Sequence, residues 1–497
     1  MKRILFINPS LRLNSHTKYL PIGIASVMSF LRSNGFEFEF FDVDIDDVVD
    51  HELESYLEDN RFDIILTGSI VTHYKWVKWL TRTVRKYNPN SFILVGNSVA
   101  GSVPELFLTN SDADIAIIGE GEITTSEVVT KICSGEDWYN TLGIAYKMRC
   151  GSIKVNQKRK ALKKLDEFPM VDWRDFDTDK YFKKSYAGAK GLEGQDVKVM
   201  PVATARGCAF RCSFCHFVFW NDPYRYRSPD NILAEIKRNI DEYGTNFISF
   251  WDDLSFASLP QAERFADAIL NSGLKFYWNA AVRVDLFGNP KHPYSRRVEV
   301  AKKFKDAGCL SLGFSLESGN KEILEMMNKR IEASFFLDQV KLLEEVGIAQ
   351  MTSVVFGYPI ETEDTIKQTF DMCLEAKVYP SMGFLLPLPG TGMYEYAKKN
   401  SFITDEDAFL DSITERQDLC LNMTSMPDEK VRDLIAEGAS ALNDKLNLGL
   451  SDSNLIRTGG YNEHTSKRKI KKFKREGNSL ALNYNEAEFE VDIGLSC

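Results

Sequence analysis

Residues 206–216 read Arg206-Gly207-Cys208-Ala209-Phe210-Arg211-Cys212-Ser213-Phe214-Cys215-His216. Thiolates are the usual ligands of iron–sulfur clusters, and cysteines this closely spaced can wrap one edge of a cluster. Three cysteines for four irons leave one iron without a protein ligand. A catalytic metal site keeps such an open position, and a structural one closes it. Cys208, Cys212 and Cys215 are therefore the expected metal ligands of a [4Fe–4S] cluster and the expected catalytic centre. Two other readings are weighed against this one. A zinc site of the three cysteines with His216 is awkward, because zinc sites usually pair Cys-x2-Cys knuckles across a longer gap. A chance grouping of buried cysteines is the other.

The stretch lies directly after the first strand of a strand–helix series that starts near Lys198. The strands expected are Met200–Thr204, Phe247–Trp251, Phe276–Val282, Leu310–Leu316, Thr352–Phe356 and Met382–Leu386. Helices fall between and after them. Ser228-Pro229 places proline at a first helical position, and Ser258-x-x-Gln261 fits a capping box. Six strands are too few for a closed eight-fold barrel, so an open partial barrel is expected. The loops at the carboxyl ends of such strands hold the chemistry.

Upstream, the strands Arg3–Ile7, Phe36–Phe41, Asp63–Leu66, Phe92–Val95 and Ile115–Ile118 alternate with helical stretches at Ile22–Leu31, Asp47–Leu57, Trp76–Tyr87, and from near Pro104 and Thr124. Alternation of this kind implies a parallel sheet covered on both faces, with ligands at the strand carboxyl ends. The fold class expected is α/β throughout. A flavodoxin-like or Rossmann-type domain (1–135) leads through a connector with one hairpin-like piece (136–197) to a partial (βα)6 barrel (198–400). A helical region (401–497), helical at Asp428–Leu446, then closes the barrel. Its basic run Lys467–Arg475 reads as a solvated segment and Ser479–Val491 as strand-like.

The chain has 497 residues, 44% of them hydrophobic, enough for several packed domains. A net charge of −10 argues against nucleic acid or an anionic membrane as partner. No apolar run approaches the ~20 residues a membrane span needs. Met1–Pro9 reads as a first strand and not as an export signal, and nine cysteines are an odd number for a disulfide framework. A cytoplasmic location is expected, with the other six cysteines as ordinary residues.

The cysteine spacing, with an aromatic residue (Phe214) before the last cysteine, resembles the radical S-adenosylmethionine superfamily. The resemblance implies that the fourth iron chelates the amino and carboxylate groups of S-adenosylmethionine. One electron, from a flavodoxin- or ferredoxin-type donor, then splits the sulfonium to methionine and a 5′-deoxyadenosyl radical that takes hydrogen from a small-molecule substrate. Four further loops carry the likeness. Asp252 and Asp253 in Phe250-Trp251-Asp252-Asp253 stand where the family holds the methionine amine, usually with Gly-Gly-Glu. Glu317 and Ser318 end the fourth strand, in a segment similar to the one that faces the ribose. Gly357 follows the fifth strand, and Pro389-Gly390 follows the sixth, where the family backs the adenine. Arg283, after the third strand, fits either a carboxylate of cofactor or substrate or a plain salt bridge to Asp285.

Read together with the second domain, the first resembles the cobalamin-binding domain of the B12-dependent members, a subfamily that includes the anaerobic magnesium-protoporphyrin ester cyclase and class B methyltransferases. Its marks are Asn8-Pro9 after the first strand, Gly23 opening the first helix, Ser69 and Val71 after the third strand, Gly96-Asn97 after the fourth, and Gly119-Glu120-Gly121-Glu122 after the fifth. Small residues on one rim let backbone approach a large flat ligand. The Asp-x-His-x-x-Gly motif that gives other B12 folds a cobalt ligand is absent. Asn97 replaces the second glycine of a common pair, and asparagine tolerates a positive φ better than most residues. His16 and His73 read as surface or packing histidines.

The resemblance implies C–H activation followed by methyl transfer from methylcobalamin. Ring formation, rearrangement or oxygen insertion on the same machinery is an alternative. A methylthiotransferase would carry a second cysteine trio in its first domain, and residues 1–135 hold only Cys133. A non-enzymatic corrinoid or iron–sulfur carrier would not need the full series of cofactor loops.

Overall fold

The structure, a computed structural model, describes residues 2–10, 17–185, 192, 196–216 and 222–456, and the paired dipeptides Arg475–Glu476 and Ser479–Leu480. His16, most of the loop 188–194, and most of the basic run and of the strand-like piece lie outside the described residues.

The first sheet has seven strands: β1 (Ile4–Asn8), β2 (Glu39–Asp42), β3 (Ile64–Gly68), β4 (Phe92–Gly96), β5 (Ile115–Ile117), β6 (Ile144–Lys147) and β7 (Ile153–Val155). Their spatial order is β2-β1-β3-β4-β5-β6-β7. The first five are parallel. Their interior is a nearly unbroken apolar run because helices cover both faces. Phe6, Leu66, Leu94 and Ile117 meet the helices Ile22–Ser33 and Gly121–Ser134 on one side, and Leu5, Ile65, Ile93 and Val95 meet Tyr74–Tyr87 on the other. The chain reverses direction of travel between β1 and β3, which opens a crevice at their carboxyl ends.

The hairpin expected inside the connector is β6–β7. It pairs antiparallel onto β5, so the first sheet continues to Val155, past the boundary expected at residue 135. The rest of the connector packs back on the first sheet, with Trp173 fully buried and Arg32 paired to Asp172 and Asp175.

The second sheet carries β8 (Val199–Val202), β11 (Phe247–Phe250), β12 (Tyr277–Ala281), β13 (Cys309–Glu317), β14 (Ala349–Phe356) and β15 (Ser381–Phe384), all parallel and in chain order. The short antiparallel pair β9 (Ala205–Arg206) and β10 (Arg225–Tyr226) stands at its rim. This is the expected open half-barrel. Alternate residues divide its faces. Phe250, Trp278, Leu312, Phe314, Val354 and Met382 point outward into the core under the helices. Ser249, Asn279, Ser315, Ser353 and Ser381 hold the opposite parity and are only half-buried.

The expected helix starts are present. Ser228 Oγ accepts from the Asn231 amide and Ser258 Oγ from the Gln261 amide, each with proline in the first turn, but the return half of the expected capping box is not made, because Gln261 Oε1 accepts from the Ala257 amide instead. The helix Asp428–Leu446 crosses Glu363–Glu375 closely at Gly438, where a Cβ would sit 2.3 Å from the Phe370 ring. The helix Glu406–Ser412 reaches the first domain, where Asp407 accepts from Tyr74 Oη at 2.7 Å and Lys78 Nζ at 2.9 Å. Among the described residues no helix is long and apolar enough to cross a membrane.

Candidate active site

The cysteine loop leaves β9 at the carboxyl end of the half-barrel and is held from three sides. Ser213 donates from its amide to Met327 O (2.8 Å) and from its hydroxyl to Met326 O (2.9 Å), and its own carbonyl accepts from the Met393 amide (3.0 Å). Asn328, at φ +50°, donates from Nδ2 to Arg211 O at 2.6 Å. The Arg283 guanidinium stacks 3.5 Å from the centre of the Phe210 ring and donates to Lys329 O at 2.7 Å. It also makes the plain bridge to Asp285, at 3.2 Å. Arg283 is thus a brace of the cysteine loop. Phe214 packs edge-on against the buried ring of Tyr358.

Burial pushes the Cys215 thiol up to about 12, and Asp253 and the other two thiols push it further the same way. Burial likewise raises Cys208, with Cys212 adding to it. Three soft donors within electrostatic reach of one another fit a cationic cluster that would hold them as thiolates; binding would release the protons of Cys208 and Cys215. His216 does not join them in a zinc-like arrangement. It is half-buried, with enough protein around the ring to lower its pKa, and it bonds the backbone of Pro389.

The two aspartates after β11 have different tasks. Asp252 accepts from the Thr204 amide (2.8 Å), the Thr204 hydroxyl (2.6 Å) and the Ala205 amide (2.9 Å), so it anchors the entry to the cysteine loop. Asp253 has no hydrogen bond among the described residues and opens to a cavity. Burial first, and Asp252 second, push its carboxyl up to about 6. Of the pair, Asp253 is the one free to take a ligand ammonium.

The remaining loops follow β13, β14 and β15 at the same end of the half-barrel. Glu317 holds φ +66° at the end of β13 and accepts from Lys329 Nζ at 2.8 Å, a buried pair. Ser318 is buried, and Gly319 lies against the helix Glu363–Glu375, where a Cβ would come 2.5 Å from Gln368 O. Gly357, at φ +98°, donates from its amide to Glu361 Oε2 at 2.6 Å, and the Tyr358 amide shares that oxygen. Burial raises Glu361 to about 7. Gly390 turns at φ +83° after Pro389.

A cavity of about 330 Å³ lies between the two sheets. From the first come Gly23, Thr67, Gly68, Gly96, Asn97, Gly119, Gly121 and Glu122. From the second come Ala203, Ala205, Arg206, Trp251, Asp252 and Asp253. It continues between the helices Ile22–Ser33 and Gly121–Ser134 over Phe6, Leu66 and Leu94. The glycines make this room. A Cβ on Gly68 would sit 3.3 Å from Gly96 C, and one on Gly121 would sit 3.2 Å from Val27 Cγ2. Asn97 has φ +62° and caps the next turn through its side chain. A rim of bare backbone above an apolar slot fits a large flat ligand with a tail.

Not every expected residue lies on this cavity. Asn8 Nδ2 donates to Asp42 Oδ1 at 2.8 Å, and Pro9, Ser69 and Val71 are buried. None of the four lines the cavity. His73 stands in a 3-10 turn beside Trp76. Glu120 and Glu122 face arginines of the second domain. Arg206 donates to Glu122 Oε1 at 2.5 Å and lies 3.3 Å from Glu120, while Arg225 reaches Glu120 at 2.8 Å. Burial raises Glu122, but the Arg206 charge and the hydrogen bonds from Arg206 and Ser26 outweigh it and leave the carboxyl below its ordinary value.

Comparison with known proteins agrees with both halves. The family described as "B12 binding domain" matches residues 10–129, and the "Radical SAM superfamily" matches residues 202–373. An uncharacterized methyltransferase of Pyrococcus horikoshii is 26% identical over 77% of this chain and 79% of its own. The anaerobic magnesium-protoporphyrin IX monomethyl ester cyclase of Rubrivivax gelatinosus is 23% identical over 74% of this chain, which spans only 65% of that enzyme. The cobalamin-dependent S-adenosylmethionine radical enzyme OxsB, solved with aqua-cobalamin and S-adenosylmethionine, superposes with a TM-score of 0.65 at 18% identity over 83% of this chain and 56% of its own. Fold and family matches define a two-domain cofactor enzyme, with a corrinoid domain set against a radical half-barrel. The chain joins a B12-binding domain to a radical S-adenosylmethionine domain, and the cofactors these domains imply are a [4Fe–4S] cluster, S-adenosylmethionine and cobalamin.

Proposed function

We propose that this enzyme activates a C–H bond of a small molecule and methylates the carbon. The observation that carries the reading is the shared cavity. Asp253 and Trp251, at the end of β11, and Gly96, Asn97 and Gly121, on the rim of the first sheet, line one space. When bound, the cluster and S-adenosylmethionine supply a 5′-deoxyadenosyl radical and the corrinoid supplies a methyl group. The chain's own part is to position and to shield. Cys208, Cys212 and Cys215 hold the cluster, Asp253 takes the amine of S-adenosylmethionine, and the glycine rim seats the corrinoid. A flavodoxin- or ferredoxin-type protein supplies the electron. The likeness to the cyclase favours a second reading, in which the same radical closes a ring and no methyl group moves. Anaerobic reconstitution with S-adenosylmethionine carrying a deuterated methyl group separates the two. Methylation predicts label on the product carbon; the cyclase reading predicts an unlabelled product.

Two outcomes follow for the cofactor sites. The Asp253 carboxylate accepts an ammonium and its protonated form does not, so affinity for S-adenosylmethionine falls as pH drops through about 6. Asp253→Asn removes that pH step and weakens binding at neutral pH by roughly 10–150-fold, from ~1.5–3 kcal/mol for a charged hydrogen bond. Equilibrium binding across pH checks both. At Gly23 a Cβ meets nothing within 4 Å, because the residue opens on the cavity. Gly23→Phe would fill the seat while keeping the helix, and at ~1–3 kcal/mol of overpacking it lowers cobalamin affinity roughly 5–150-fold. Titration of cobalamin uptake by its visible spectrum reads this directly.

A further inference from the structure

The concave face of the half-barrel carries a row of polar side chains, of which Ser249 accepts from Trp251 Nε1 at 3.1 Å and the others lie farther along the sheet. Ser249 donates to Asn279 Oδ1 at 2.8 Å, and the hydroxyls of Ser315 and Ser353 lie 2.6 Å apart. Ser353 is in register with Ser315 on one side and with Ser381 on the other. Beyond Ser381, the segment after the helix Glu406–Ser412 returns along the last strand. The Phe384 amide donates to Arg416 O at 2.7 Å, and Gly383 leaves room for the arginine, since a Cβ there would sit 3.3 Å from Arg416 Nε. Arg416 Nη2 then donates to Ser381 Oγ at 2.8 Å.

Arg416 has no carboxylate within ion-pair distance among the described residues. Glu317, the nearest acidic influence, is already paired with Lys329 at 2.8 Å. The guanidinium is open to solvent, yet enough protein surrounds it that loss of water lowers its pKa. A solvent-facing guanidinium without a carboxylate partner, bonded to one hydroxyl and with a second on the neighbouring strand, is a receptor for a planar or tetrahedral oxyanion.

We propose that Arg416 and Ser381, with Ser353 beside them, bind an oxyanion of the substrate, a carboxylate or a phosphate. The proposal rests on the reading above, which puts the substrate inside the half-barrel. It assigns the C-terminal segment a part in substrate choice, since Ser353 and Ser381 supply hydroxyls and the segment supplies the charge.

The test is protection of Arg416 from phenylglyoxal in the reconstituted holoprotein with S-adenosylmethionine present, read by peptide mass spectrometry. Inorganic phosphate and acetate are the probes and acetamide is the uncharged control. At least one anion is expected to slow modification by about tenfold, the scale of one charge-assisted hydrogen bond, while acetamide does not. Whichever anion protects names the source, and Ser381→Ala weakens the protection. Equal modification with and without both anions overturns the proposal. So does full protection by S-adenosylmethionine alone, which would give the guanidinium to that cofactor's own carboxylate. Cluster and corrinoid spectra are recorded on the same sample. Their absence is a failure of the proposed function, whereas their presence without anion protection is a failure of this site alone.

Discussion

Cys212→Ala is expected to abolish release of 5′-deoxyadenosine and to strip most of the iron from the reconstituted protein. Replacing residues that merely support a metal ligand costs ~10–100-fold, so losing a ligand itself should exceed about 100-fold. The fold should survive. Cys212 is a small buried side chain, and its loop is fixed by neighbours that the substitution does not touch, namely Ser213 on Met326, Met327 and Met393, and Asn328 on Arg211. Unchanged circular dichroism and undiminished cobalamin uptake would establish this. Anaerobic iron and sulfide analysis together with chromatography of the nucleoside product gives the result.

Arg206→Met is expected to have the largest effect on stability. The substitution leaves Glu122 buried with only Ser26 for company and leaves Glu120 to Arg225 alone. Removing one partner of a buried ion pair typically costs ~3–5 kcal/mol, because the remaining charge stays desolvated. These pairs join the loop after β5 to the strand that enters the cysteine loop, so the damage should appear as loosening between the two halves. Limited proteolysis should cut the connector faster, and cobalamin should bind more weakly. The pH dependence has a definite sign. The Glu122 carboxyl lies below its ordinary value, so its contribution is present above the unfolded-state pKa near 4.5 and is lost as pH falls through the lower folded value. The substitution should flatten acid-induced loss of stability in that window.

Local pattern carried most of the architecture. The six barrel strands and their order follow from apolar runs punctuated by helix caps, because parallel strands buried under helices need continuous apolar faces. The cysteine loop was legible for the same local reason, since its spacing is short and its place after β8 follows from the strand before it. What depends on distant pairing was not legible. Asp252 and Asp253 are adjacent and chemically identical. Only the fold gives the first to Thr204 and Ala205 and leaves the second open. Glu120 and Glu122 sit in a glycine-rich rim, and only the fold shows that both pair with arginines more than eighty positions away. Asn8 follows the first strand as a rim residue should, but β2 lies alongside and its Asp42 takes the amide. The hairpin 144–155 had a readable form, but its pairing onto β5 is a tertiary choice that no local signal encodes. Arg416 reaches Ser381 only through the register of the returning segment, which no local signal encodes.

On the function proposed above, Cys208, Cys212 and Cys215 would hold a four-iron cluster and Asp253 would take the amine of S-adenosylmethionine. Electron paramagnetic resonance of the reduced, reconstituted enzyme, recorded with and without S-adenosylmethionine, tests this most directly. The account predicts a [4Fe–4S]+ signal whose g-values shift when the cofactor is added, and which is lost in Cys208→Ala, Cys212→Ala and Cys215→Ala. A cluster signal indifferent to S-adenosylmethionine, or one that persists after a cysteine is removed, would contradict it.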